Sequence, residues 1–383
     1  MSRQARFLFL LLMSMALFFG FLEHFTPGTF PFTFERLHIF LFNLCTGGTI
    51  VLYHTEGRAG FSGKVILFGV LATVYAVLAF FQIYAPAMAI SLFLAAIVES
   101  VRIRRFSVFP KDFFRSSVPI AEKFNQASLL CLSIGLTISS MVILNNEYLH
   151  LPMFSFRKLT LNTFFLGFSF PVSLITFSVI FDLMKNETDG SYACLKEYGF
   201  WAVNLGVIIF FLFILFEMLI AQLFVTLILL GTVVMIFLLY IRLGIRAQQK
   251  NFLSSGIGFL LFTAVTGILY IVMEFFPEYY TTENSRFLLS LHSFASLYGW
   301  NLSGLAIICR FHDFPLKLHS RGIIIFHWII VILLAPLGKY SLPFAVLAVI
   351  SYIAMLFVIF FNKGNGQALD RSPAAAVATG NRA

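Results

Sequence analysis

Apolar residues run through this chain in long stretches, broken by short polar or charged segments. A stretch of roughly 20 mostly apolar residues is long enough to cross a bilayer as a helix. The pattern predicts twelve such spans, near 6–22, 35–53, 64–83, 87–101, 127–145, 159–182, 199–217, 219–241, 252–275, 287–309, 322–337 and 342–361. The fourth is short, and the seventh and eighth are separated only by a tight turn around Glu217. Losing either would invert the orientation of everything downstream. The expected fold class is therefore an all-α integral membrane bundle, one polytopic domain over residues 1–361. Residues 362–383, rich in Gly, Ala, Ser, Pro and Asn, read as a disordered cytoplasmic tail. No soluble domain and no repeat of fixed period is evident.

Composition sharpens this. The chain is 60% hydrophobic and 11% charged, where a soluble domain carries about 25% charged residues. Phe alone contributes 50 of the 383 residues, which suits lipid-facing and helix-packing surfaces. The basic start, Ser2 to Arg6, runs into an apolar stretch without a small-residue cleavage site, so no cleavable leader is expected.

The charges fix an orientation. With the N-terminus inside, all 26 Lys and Arg except Arg36, Arg157, Lys158, Arg286 and Lys339 fall on inner segments. That skew is the positive-inside bias, and it places both ends in the cytoplasm. It also accounts for the net charge of +9 without a nucleic-acid partner. The long basic loop near 102–126 is expected at the anionic headgroup surface. Cys45, Cys131, Cys194 and Cys309 form no CxxC pair, so no disulfide, zinc or iron–sulfur site is read from them.

Ionisable groups inside a membrane are costly and mark candidate sites. Glu99, Glu147, Asp182, Glu217 and Glu274 all fall at span ends, and no Asp, Glu, Lys or Arg is expected near mid-membrane. This speaks against a transporter or pump driven through a buried carboxylate. Three histidines do lie within spans: His38, His292 and His327. His38 and His292 both enter from outside and, at about 1.5 Å rise per residue, sit at nearly one depth in the outer third. His327 enters from the inside, at another level. Two neutral imidazoles at one depth can ligate a haem iron from opposite faces, giving a six-coordinate, low-spin centre for electron transfer. Arg36, Arg286 and Lys339, at the outer surface, are the candidate partners of the propionates. From His292 the helix face continues through Ser296, Gly299 and Ser303, small residues that admit a flat macrocycle or a neighbouring helix. From His38 the same face carries Phe42, Cys45 and Thr49, with Gly47 and Gly48 beside it. The plainer readings are that a lone His such as His327 hydrogen-bonds between helices, and that the small-residue stripe is ordinary packing. Glu23, His24 and His150 read as solvated outer residues, and His54, His312 and His319 as loop or headgroup residues.

The segment Arg36-Leu37-His38-Ile39-Phe40-Leu41-Phe42 resembles the second helix of haem–copper oxidase catalytic subunits, nearest to the nitric-oxide-reductase-like branch. The segment Leu291-His292-Ser293-Phe294-Ala295-Ser296-Leu297-Tyr298-Gly299-Trp300-Asn301 resembles their tenth helix. The resemblance implies twelve core spans, a cytoplasmic N-terminus, and a low-spin haem b held by His38 and His292. The chain departs from the family where oxygen chemistry resides. Ser290 stands where the ligand of the high-spin haem is expected, Phe170-Pro171 has no adjoining copper-binding His, and the sixth to eighth spans contain no His. The family's cross-linked Tyr has no assignable counterpart. The implied protein is a degenerate member with no copper, no binuclear centre and no catalytic residues of its own. It would pass electrons between a quinol or outer cytochrome and a partner subunit, in a bacterial inner membrane. The rivals are a haem or gas sensor, a haem-handling protein, a haem-free scaffold, and a transporter with a polar cavity lined by Asn43, Thr46, Thr266, Asn301 and Ser303.

Overall fold

A computed structural model of the chain describes residues 1–26, 32, 34–58, 60–150, 165–185, 190–276, 278–316 and 321–364. Arg157, Lys158, His319 and the expected tail from residue 365 onward lie outside them.

The described residues are helical almost throughout. We number the helices α1 (Arg3–Phe25), α2 (Phe34–Glu56), α3 (Gly63–Phe80), α4 (Tyr84–Arg105), α5 (Ile120–Leu149), α6 (Gly167–Asp182), α7 (Gly190–Leu215), α8 (Leu219–Leu243), α9 (Gln249–Glu274), α10 (282–309), α11 (Arg321–Gly338) and α12 (Leu342–Phe361). Among the described residues, ten of these are long and apolar enough to cross a membrane. The two others are the shorter α6 and the more polar α10. The protein is thus a helical bundle in contact with lipid, a multi-pass membrane protein.

Helices extend beyond the apolar stretches that announce them. The fourth segment, expected at 87–101, is a full helix of 22 residues. The fifth begins at Ile120, directly after Pro119, well before the apolar run starts at 127. Hydropathy marks where a helix meets hydrocarbon, whereas its first turn is set by where the backbone can start. The break expected at Glu217 is real: Glu217 takes a left-handed conformation (φ 56°), and Met218 N–H closes back on Phe213 O.

Burial ranks the helices. In α2, 94% of the hydrophobic window is buried, against 22% in α7. Helix α2 is therefore central, while the α7–α8 hairpin is peripheral and turns Ile208, Leu212, Ile220 and Phe224 outward. Around α6, contact depends on missing side chains. Gly135 of α5 and Gly167 of α6 touch backbone to backbone, Gly47 of α2 lies against Val172, and Gly304 of α10 lies against Thr176. Any Cβ at these positions would push the helices apart, the small-residue logic of packing in lipid. Trp300 Nε1 donates to Ser173 Oγ, and Ser128 Oγ donates to Pro171 O at 2.6 Å, fixing α10 and α5 on α6.

One end of the bundle is tied by cations. The buried Arg310 guanidinium donates to the carbonyls of Ile359, Phe360 and Asn362, and Arg6 donates to Phe360 O. A helix C-terminus leaves such carbonyls open, and cations stabilise it. Lys123, expected in the basic loop near 102–126 at the headgroup surface, is instead fully buried, its ammonium 2.7 and 2.8 Å from the two oxygens of Glu197. It lies in the first turn of α5, which folds in against α7.

Candidate functional site

Each intramembrane histidine stands just ahead of a π-helical segment. His38 precedes Phe40–Gly48, His292 precedes Ala295–Asn301, and His327 precedes Ile329–Leu334. A π turn inserts a residue, re-aims the side chains after it, and recurs at functional sites.

His38 and His292 are held by the same device. His38 Nδ1 lies 2.7 Å from Ala16 O of α1, and His292 Nδ1 lies 3.0 Å from Thr263 O of α9. In both cases a glycine follows the carbonyl by four residues and faces the ring. A Cβ at Gly20 would come within 2.8 Å of the His38 ring, and one at Gly267 within 3.3 Å of the His292 ring. Each imidazole therefore docks on the helix preceding its own, against a glycine where a Cβ would clash at Gly20 and crowd the ring at Gly267. A carbonyl oxygen can only accept, so the proton of both neutral rings sits on Nδ1 and the Nε2 lone pair is bare. Metal-ligating histidines are oriented in this way, with the far N–H given to a carbonyl. The donor chemistry of these two residues fits a haem iron. His38 is buried, whereas His292 is partly accessible.

His327 differs. Its Nε2–H donates to Tyr298 O at 2.6 Å, joining α11 to α10, and its ring packs on Phe252 and Phe259 at 5.8 and 4.7 Å. It serves as a hydrogen bonder between helices. Its Nδ1 is buried and has no partner among the described residues.

The surrounding residues divide. Lys339 and Arg286 act on each other electrostatically, with Glu35 also near, and Lys339 Nζ lies 5.6 Å above the Phe294 ring. Burial lowers the Lys339 ammonium from its ordinary value; Glu35 opposes this and the Arg286 cation adds to it. Arg36 interacts with Tyr84, which also meets Glu147. The stripe from His292 faces α9. Gly299 lies against the Phe259 ring and Ser303 against Gly256, so at these two positions the stripe is a helix seam; Ser296 is partly accessible. Ser290 is buried, with its hydroxyl unpartnered among the described residues.

Sequence reasoning missed Tyr298, whose hydroxyl lies 2.9 Å from His38 Nδ1. It comes from the helix that carries His292, six positions on, and so brings α10 to α2. Of the polar-cavity residues, Thr46, Thr266 and Ser303 return their hydroxyls to carbonyls of their own helices. Both amide atoms of Asn43 and of Gln126, and Asn301 Oδ1, are buried without partners among the described residues.

Comparisons with protein-family models, with curated proteins and with solved structures find no match for this chain.

Proposed function

We propose that this chain is a membrane electron-transfer protein of twelve spans, both ends cytoplasmic, carrying one low-spin haem b on His38 and His292. We take it as a relative of the haem–copper oxidase catalytic subunit that has no copper centre and works in a bacterial inner membrane beside a redox partner. The observation that supports this reading is the shared contact: two imidazoles on two helices, each with Nδ1 against a backbone carbonyl, which implies an Nδ1–H tautomer and a free Nε2 lone pair. Bound haem b would supply a one-electron couple in a low-dielectric setting. The residues contribute the rest. Ala16 and Thr263 hold the rings in the ligating tautomer, and Gly20 and Gly267 let them seat. Lys339 and Arg286, two like charges drawn together at the end of α11 and the start of α10, suit the anionic propionates, which would relieve their repulsion. The donor is a quinol or a cytochrome, and a partner subunit accepts the electron, because one haem alone has nowhere to pass it.

A second reading rests on the amides of Asn43 and Gln126 and on Asn301 Oδ1, buried without partners among the described residues, which suit a polar substrate path. One experiment separates the two. The detergent-purified protein from haem-replete cells is expected to give a b-type α-band in the reduced-minus-oxidised spectrum, at one haem per chain. A colourless preparation overturns the haem reading in favour of the path. Ready binding of carbon monoxide to the reduced haem points to sensing instead of electron transfer.

A further inference from the structure

Tyr298 sits at a junction. Its ring packs against Phe42 of α2 at 5.1 Å, Phe294 of its own helix at 6.0 Å, and Tyr352 of α12 at 5.2 Å and 83°. Both tyrosines are buried. The Nδ1–H of His38 already points at Ala16 O, so the Tyr298 oxygen, 2.9 Å from the same nitrogen, can only be a second acceptor of that hydrogen. The phenol's own proton must then go elsewhere. Tyr352 OH, on the ring beside it, is buried with no hydrogen-bond partner among the described residues. Ser14 Oγ, on the helix packed along both α2 and α12, is another such orphan. A buried hydroxyl without a partner is rare, and a water joining two of them is the usual remedy.

We propose that Tyr298 is a positioning residue for His38, assisted by a buried water that joins its hydroxyl to that of Tyr352. This rests on the haem reading given above. Two acceptors on one N–H pull the hydrogen away from the ring and give the imidazole more anionic character. Such a ligand donates more strongly to iron and favours the ferric state. The water strengthens the effect, since a phenol that donates its own proton accepts better in return.

The test is the midpoint potential of the haem in the full-length, detergent-purified protein, by spectroscopic titration. Tyr298→Phe removes the second acceptor and is expected to shift the potential upward with the α-band retained. Tyr352→Phe removes only the anchor of the water, and the shift is expected in the same direction but smaller. Tyr75→Phe deletes an equally buried hydroxyl, one bonded to Ser139, and is expected to leave the potential unchanged. An α-band with the wild-type potential in Tyr298→Phe overturns this inference and leaves the haem reading standing. If Tyr298→Phe does not fold, Tyr352→Phe decides, and an unchanged potential there overturns the water. A wild-type protein without haem overturns both the reading and the inference.

Discussion

His38→Ala and His292→Ala are each expected to abolish the b-type α-band of the reduced protein, while His327→Ala keeps it. The first two rings each have Nδ1 held against a carbonyl, which leaves Nε2 free, so on the proposed ligation losing either would take away one of the two nitrogen donors to the haem. The third gives its Nε2–H to Tyr298 O and buries its other nitrogen between aromatic rings, so its loss costs a helix contact and no ligand. Imidazole added to the buffer should restore the band more readily in His292→Ala, where the site is partly accessible, than in His38→Ala, where it is closed. A full α-band in either His38→Ala or His292→Ala removes that residue from the ligand set.

The second large effect concerns stability. Glu197→Gln is expected to lower the stability of the folded protein by about 3 kcal/mol, read as a fall in the thermal midpoint in detergent. Lys123 is fully buried, and its ammonium bonds to both carboxylate oxygens, while Trp201 Nε1 donates to one of them at 3.1 Å. Removing the carboxylate leaves a cation in an apolar place, which is far costlier than losing an exposed pair. Because Glu197 is 34% exposed, water reaches one side, and the loss falls at the lower end for buried pairs. The paired change Lys123→Met with Glu197→Leu removes both charges and is expected to recover most of the loss. A single variant as stable as the wild type would show that the ammonium finds water instead.

The helices were legible because lipid solvation demands long apolar runs, and each predicted segment overlaps one helix. The starts and ends were not, since a turn such as Ile120 to Gln126 is polar in sequence yet folded inward. Lys123 was misplaced for that reason: hydropathy averages over a window, but the burial of one cation depends on a partner 74 residues away. In the candidate site, the histidines stood out because the Asp, Glu, Lys and Arg side chains were read at span ends or outside spans. What fixes them did not. Carbonyl acceptors carry no sequence signature, and Gly20 and Gly267 look like any glycine in a membrane helix until the ring facing them is seen. The π turns after each histidine are equally silent in sequence. Tyr298 entered the sequence reading only as part of the segment that resembles a tenth helix, although its place six residues beyond His292 was open to notice. Arg36, Arg286 and Lys339 share an outer surface in sequence, and which partner each takes, Tyr84 for Arg36 and Arg286 with Glu35 around Lys339, is seen only in the fold.

The most direct measurement is electron paramagnetic resonance of the oxidised wild-type protein in detergent. Two imidazole ligands on one iron give a low-spin ferric signal accounting for one haem per chain, with no high-spin component. A high-spin ferric signal, or no haem iron at all, would contradict ligation by His38 and His292.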